Sequence, residues 1–258
     1  MTIEFEERER AAGEAFLRLS AAVDEFEGYT HPHASRVARL ADALAASFRL
    51  SRADRTALVF AALLHDVGEF AMKRDYIKSA GPLTQAERLD LQRHPIIGEQ
   101  EAARSGAERG AQLLVRWHHE WWNGGGYPDA LRGEEIPLEA RILRVADAFA
   151  SLTDARPFRP AGTEAEARKH LTLWAGLEFD PQVVRAVLAL QGLPELRSYA
   201  RAQTNTSEAA SESVVKSDET AVTNGATEAV APSTQGEAGA LVGAGGQEEV
   251  ENPWNPKR

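Results

Sequence analysis

Apolar side chains recur every three or four positions through most of the first two hundred residues. Phe16, Leu19, Val23 and Phe26 make one stripe, and Val37, Leu40, Leu44 and Phe48 make the next. That spacing gathers them on one face of a 3.6-residue helix and leaves polar positions on the other. Leu58, Ala61, Ala62 and Leu64 continue the series, as do Leu138, Ile142, Val145 and Phe149. Helix starts are marked separately. Ser51 with Asp54, Thr84 with Glu87 and Thr163 with Glu166 have the spacing of a capping side chain and its acidic partner. Asp180 followed by Pro181 has the order preferred at a cap and a first helical position. No strand-length alternation competes, so the predicted fold class is all-α.

The pattern stops near residue 200. From Arg201 onward the chain is rich in Ser, Thr, Ala, Gly and Glu, with nine acidic against four basic side chains. Such a segment cannot bury enough surface to offset its ordering entropy, so residues 201–258 are expected to form a disordered acidic tail, with Trp254 near its solvated end. Residues 31–200 are expected to be the folded domain. Residues 1–30 read as one amphipathic helix that packs on it, or that makes a homodimer contact.

Composition narrows the chemistry. The chain has no cysteine, so any metal must be held by His, Asp or Glu. Its net charge of -10 argues against sequence-blind nucleic-acid binding. No run approaches the roughly eighteen apolar residues of a membrane span, and the first residues lack the apolar core of a signal peptide. Neither nucleic acid nor membrane is expected as a partner, and the expected location is cytoplasmic.

Histidines fall at special places in this scheme. His33 is in register with Val37, Leu40 and Leu44. His65 and Asp66 end an apolar run before Gly68, and His94 precedes the helix breaker Pro95. His118 and His119 stand together where a helix runs into Asn123 and the glycines at 124–126. Asp147 lies in the run with Ile142, Val145 and Phe149, near Arg141 and Arg144, either of which could bind it. Two adjacent imidazoles at a buried helix end are costly unless a metal ion takes their lone pairs. Five histidines and two aspartates exceed what one ion needs. Two ions sharing Asp66 would use all seven, and such a pair can hold a hydroxide and stabilise displacement at phosphorus.

The strings THPHASRVARLADAL, AALLHDVGE, PLTQAERLDLQRHPIIG and HHEWWNGGGYPDALRGEEIPLEARILRVADAFASLTDARPFR resemble, in that order, the HD-GYP family of metal-dependent phosphohydrolases. The resemblance covers residues from about 20 to 190. It implies a helical bundle around a metal centre and hydrolysis of the cyclic dinucleotide cyclic di-GMP to a linear dinucleotide or GMP. By matching position, it implies one ion on His33, His65, Asp66 and Asp147 and a second on Asp66, His94, His118 and His119, with Asp66 the central catalytic ligand. The ions are expected to be divalent transition metals, iron or manganese ahead of zinc. Gly126, Tyr127 and Pro128 match the signature loop near the substrate, and Lys78, Arg93 and Arg116 are candidate phosphate contacts. His31 and His170 match no ligand and are expected at the surface.

Four positions depart from the family pattern. Glu69 stands where a lysine is usual, facing substrate or pairing with Lys73 or Lys78. Ala150 replaces a second aspartate, Phe158 a tyrosine, and Tyr29 a glutamate that holds a third ion in some members. The competing reading is a catalytically weak regulator that binds nucleotide or a signalling partner protein.

Overall fold

The computed structural model describes residues 2–79, 81–156 and 159–193. The expected tail at 201–258, with Trp254, and the departure at Phe158 lie outside the described residues. Ten α-helices make up the described fold: α1 Thr2–Glu27, α2 His33–Ser47, α3 Arg52–Leu64, α4 Val67–Met72, α5 Gln85–Leu91, α6 His94–Arg104, α7 Arg109–Trp117, α8 Leu138–Thr153, α9 Glu164–Leu173 and α10 Pro181–Ala189. No β-strand occurs among the described residues, apart from isolated bridges between Arg156 and Arg159 and between Ala175 and Phe179. None of the described helices is long and apolar enough to cross a membrane.

The helices begin where the capping chemistry places them. Ser51 accepts from Asp54 N, Thr84 and Thr163 form reciprocal capping boxes with Glu87 and Glu166, and Asp180 accepts from Gln182 N. The stripes face inward. Phe16 and Val23 of α1, Val37, Leu40 and Leu44 of α2, Leu58 and Leu64 of α3 and Ile142, Val145 and Phe149 of α8 are all buried in one core. α1 lies on α3, with Phe16 edge-on to Phe60 at 5.0 Å between centroids. α2 packs between α3 and α8, while α6 packs between α4 and α7.

The α4–α6 crossing is unusually close. A Cβ at Gly68 would lie 2.1 Å from His94 O, so only glycine lets the two helices meet there. That approach sets His94 beside Asp66, which precedes α4. One sequence expectation fails in this region of the fold. His170 is buried, not at the surface: α9 lies on α8, and the His170 ring packs against Trp174 and Phe179. Burial holds its pKa down to about 4, so it sits in the core as a neutral ring. His31 is partly buried just ahead of α2.

Candidate metal centre

Three helices end at one point. α3 ends at His65, α5 just before His94, and α7 at His118. The last carbonyls of any helix have no partner within it. His65 Nδ1 is 2.8 Å from Ala62 O, His94 Nδ1 is 2.8 Å from Leu91 O, and His118 Nδ1 is 2.7 Å from Val115 O. Each ring donates Nδ1–H to the carbonyl three residues back. That bond satisfies a helix end and leaves Nε2 as the nitrogen aimed forward.

The forward-facing atoms form two adjoining groups. Asp66, His94, His118 and His119 make one and His33, His65 and Asp147 the other, each with its ligand atoms within 4.8 Å of one another. All seven side chains are buried. Asp66 lies between the groups. Its Oδ2 is 3.1 Å from His65 Nε2, while its Oδ1 is 3.3 Å from His94 Nε2 and 3.6 Å from His118 Nε2. Asp147 Oδ1 is 3.4 Å from His33 Nε2 and 3.8 Å from His65 Nε2. The structure thus brings together every residue that the sequence offers as a metal ligand.

The donor set fits a metal by its own chemistry. Nε2 of His33, His65 and His119 is buried with no hydrogen-bond partner. His94 Nε2 and His118 Nε2 face each other at 3.2 Å, although both rings have already placed their proton on Nδ1. Buried lone pairs turned on one another are unfavourable unless a cation lies among them.

Charge is distributed unevenly across the two groups. Burial pulls His33 down, but Asp147 and Asp154 outweigh it and raise its pKa; in the same way Asp66 and Asp147 outweigh burial at His65 and raise it to about 10. Burial pushes Asp147 up, yet His33, His65 and Arg144 hold it well below the usual carboxylate range. Burial depresses His118, and burial together with His118 and His94 depresses His119 further.

The glycine loop folds back over the histidine pair. Tyr127 N donates to His119 O at 3.1 Å, and the Tyr127 ring stacks on the His119 ring at 4.8 Å between centroids. A Cβ on Gly126 would lie 2.2 Å from Trp121 N, so the loop needs glycine to close this tightly. Buried Glu120 clamps the far side, accepting from Asp129 N and Leu131 N. The Tyr127–Pro128 peptide is cis.

The three candidate phosphate contacts have other partners. Arg116 grips Asp129 with two nitrogens and Glu99 with a third, a bracing role for the loop. Arg93 pairs with Asp90 at the surface, and exposed Lys78 lies over the Phe26 ring at 4.4 Å. Glu69 is buried, with Oε1 3.8 Å from His94 Nδ1, and groups with Glu27 and Asp66. It is therefore part of the cluster's wall and not an exposed partner of Lys73. Tyr29 stacks flat on His33 at 4.0 Å, under the guanidinium of Arg156.

Sequence reasoning offered Arg141 and Arg144 as alternative partners of Asp147, and missed the other residues that brace the ligands. Arg144 takes Asp147 Oδ2 at 3.0 Å and also bonds buried Glu178, whereas Arg141 goes to Asp180. Asp154 accepts from His33 Nδ1, and Arg36 accompanies it. The available signal was an arginine on an apolar stripe, one turn from a candidate ligand: Arg36 after His33, and Arg144 before Asp147.

Comparison with known proteins yields relatives of one kind. The sequence profile of the HD domain matches residues 21–183. The chain is 40% identical over 190 residues to a cyclic di-GMP phosphodiesterase response regulator, RpfG, of Xanthomonas campestris, covering 72% of this chain and 49% of that protein. It is 35% identical to a cyclic di-GMP phosphodiesterase of Vibrio cholerae, covering 69% of this chain and 39% of the relative. The chain thus spans about half or less of the length of these relatives. In fold it is similar to a crystal structure of a cyclic GMP-AMP specific phosphodiesterase of V. cholerae, with a TM-score of 0.58 at 22% identity, over 75% of this chain and 53% of that one.

Proposed function

The chain belongs to the HD-GYP family of HD-domain proteins, and from that premise we propose that it is a metal-dependent phosphodiesterase that opens a 3′,3′-cyclic dinucleotide, cyclic di-GMP first among them. One observation carries the reading: the two oxygens of Asp66 face two separate sets of imidazole nitrogens, as a carboxylate bridging two divalent ions would. His33, His65 and Asp147 would complete one site, and His94, His118 and His119 the other. When bound, such ions lower the pKa of water and neutralise charge on a phosphate.

The chain's own residues supply the rest. The Nδ1 bonds of His65, His94 and His118 fix each ring's tautomer and direction before any ion arrives, so little reorganisation remains for the loaded site. Arg144 holds Asp147 Oδ2, which leaves Oδ1 toward His33 and His65. Tyr127 covers His119 and shields that side from water, while Gly126 and Pro128 set the path of the loop beside which a substrate would enter. Glu69 places a further carboxylate beside His94, and this favours a second reading in which turnover is slow and nucleotide binding regulates a partner.

The test is turnover. Protein loaded with iron(II) or manganese(II) is incubated with cyclic di-GMP and, separately, with 3′,3′-cyclic GMP-AMP, and the linear products are resolved by chromatography. Linear dinucleotide or mononucleotide from either substrate, absent with Asp66→Ala, supports the proposal. Binding without product supports the regulator.

A further inference from the structure

We propose that Asp154 is the positioning residue for His33, the side chain that sets which nitrogen of that ring faces the metal. The inference rests on the reading of the cluster as a metal centre, though not on the identity of the substrate. His65, His94 and His118 each lean on a main-chain carbonyl three residues behind them, because each follows the last turn of a helix, α3, α5 and α7 respectively. His33 cannot do so. Like His94 of α6 it is the first residue of its helix, α2, but the residue three before it, Thr30, lies in the loop after α1 and not in the last turn of a helix.

Its Nδ1 is instead 2.9 Å from Asp154 Oδ2, a carboxylate delivered from the C-terminal end of α8. The other oxygen of Asp154 accepts from Arg36 Nη1 at 2.7 Å, one turn along α2 from His33. Arg36 in turn reaches Thr153 Oγ1 and Ala150 O, so the carboxylate is fixed against rotation. All three side chains of the His33–Asp154–Arg36 chain are buried. A carboxylate only accepts, so Nδ1 must carry a proton, and Nε2, 3.4 Å from Asp147 Oδ1, is the nitrogen left to face a metal. Ala150, four residues earlier on α8, has no side-chain oxygen to offer, and Asp154 occupies the next turn.

The same contacts also staple α2 to α8, so the experiment separates positioning from stapling. Apoprotein is titrated with manganese(II) or iron(II), with ion affinity and melting temperature read for wild type, Asp154→Asn and Arg36→Met. Asp154→Asn keeps the size of the side chain and leaves Arg36 its contacts with Thr153 and Ala150. It is expected to weaken one ion about 10- to 100-fold, the usual loss when an outer partner of a ligating histidine is removed. The second ion keeps its affinity, while the apoprotein melts lower because the buried Arg36 guanidinium loses its carboxylate. Arg36→Met should also lower the apoprotein melting temperature, but both ions still bind with wild-type affinity, so ion affinity separates positioning from stapling.

Nitrogen-detected NMR of the His33 ring adds a readout that stapling would not move: protonation at Nδ1 in wild type, and a mixture of tautomers in Asp154→Asn. Wild-type affinity for both ions and an unchanged tautomer in Asp154→Asn would overturn the proposal while leaving the metal centre intact. Failure of the wild-type protein to bind any ion would overturn the metal reading and this inference with it.

Discussion

In the group formed by Asp66, His94, His118 and His119, two of the three rings lean on main-chain carbonyls, whereas in the group formed by His33, His65 and Asp147 two of the three ligands lean on charged side chains, Asp154 and Arg144. The first kind of brace does not depend on side-chain identity, since any residue at position 91 or 115 offers the same carbonyl. The second can be removed by one substitution. The groups also differ in proton affinity. His33 and His65 are held above the ordinary histidine value by neighbouring carboxylates, while His118 and His119 are held below it by burial. The difference does not follow the brace alone, since His65 leans on Ala62 O and is raised by the ligand carboxylates Asp66 and Asp147.

Removing what the groups share should have the largest effect. Asp66→Ala is expected to abolish binding of both ions and cut turnover by at least about a thousandfold, since loss of metal catalysis costs several kcal/mol at about 1.4 kcal/mol per tenfold. Elemental analysis and a rate assay check it. Substitutions within one group should break the symmetry. His118→Ala should lose the ion on the His94 side and keep the other, and His33→Ala should do the opposite, each read as one ion per chain.

pH should separate the groups more gently. In the metal-free protein His65 titrates near 10, so at neutral pH an ion entering its group must displace a proton. Affinity there is expected to fall at least about tenfold per unit between pH 8 and 6.5. His118 and His119 are already neutral in that window, so the second ion should hardly respond until the pH falls below the ordinary value of 6.5. The sign for stability follows. The His65 ion pair stabilises the apoprotein fully below 6.5, and that contribution is lost as pH rises toward 10. Buried neutral His119 instead withdraws stability as pH falls below 6.5, because the unfolded chain then binds the proton. Melting curves of apoprotein across pH 5 to 10 check both arms.

The smallest effect belongs outside both groups. Thr84→Ala removes the capping box of α5 and should cost about 1 kcal/mol of stability. Metal content should not change, since His94 keeps its bond to Leu91 O.

The helices and their caps were legible in the sequence because apolar spacing and capping are local. The ligand residues were legible because each interrupts that local pattern, a histidine or aspartate where a helix ends or where a core residue belongs. The braces were harder to read. Asp154 lies 121 residues from His33, and Glu178 lies 34 from Arg144, so no local rule joins them. His170 was misread for a similar reason, since α9 buries it only once that helix is laid on α8. Arg116 and Lys78 carry the right charge for a phosphate, but charge alone does not say that Asp129, Glu99 or Phe26 will take it.

Anomalous diffraction from crystals of the metal-loaded protein tests the central claim most directly. The account predicts two ion peaks on opposite sides of Asp66, roughly 3.5 to 4 Å apart as in two-metal hydrolytic sites, one beside His33, His65 and Asp147 and the other beside His94, His118 and His119. A single peak, or two peaks that do not share Asp66, would contradict it.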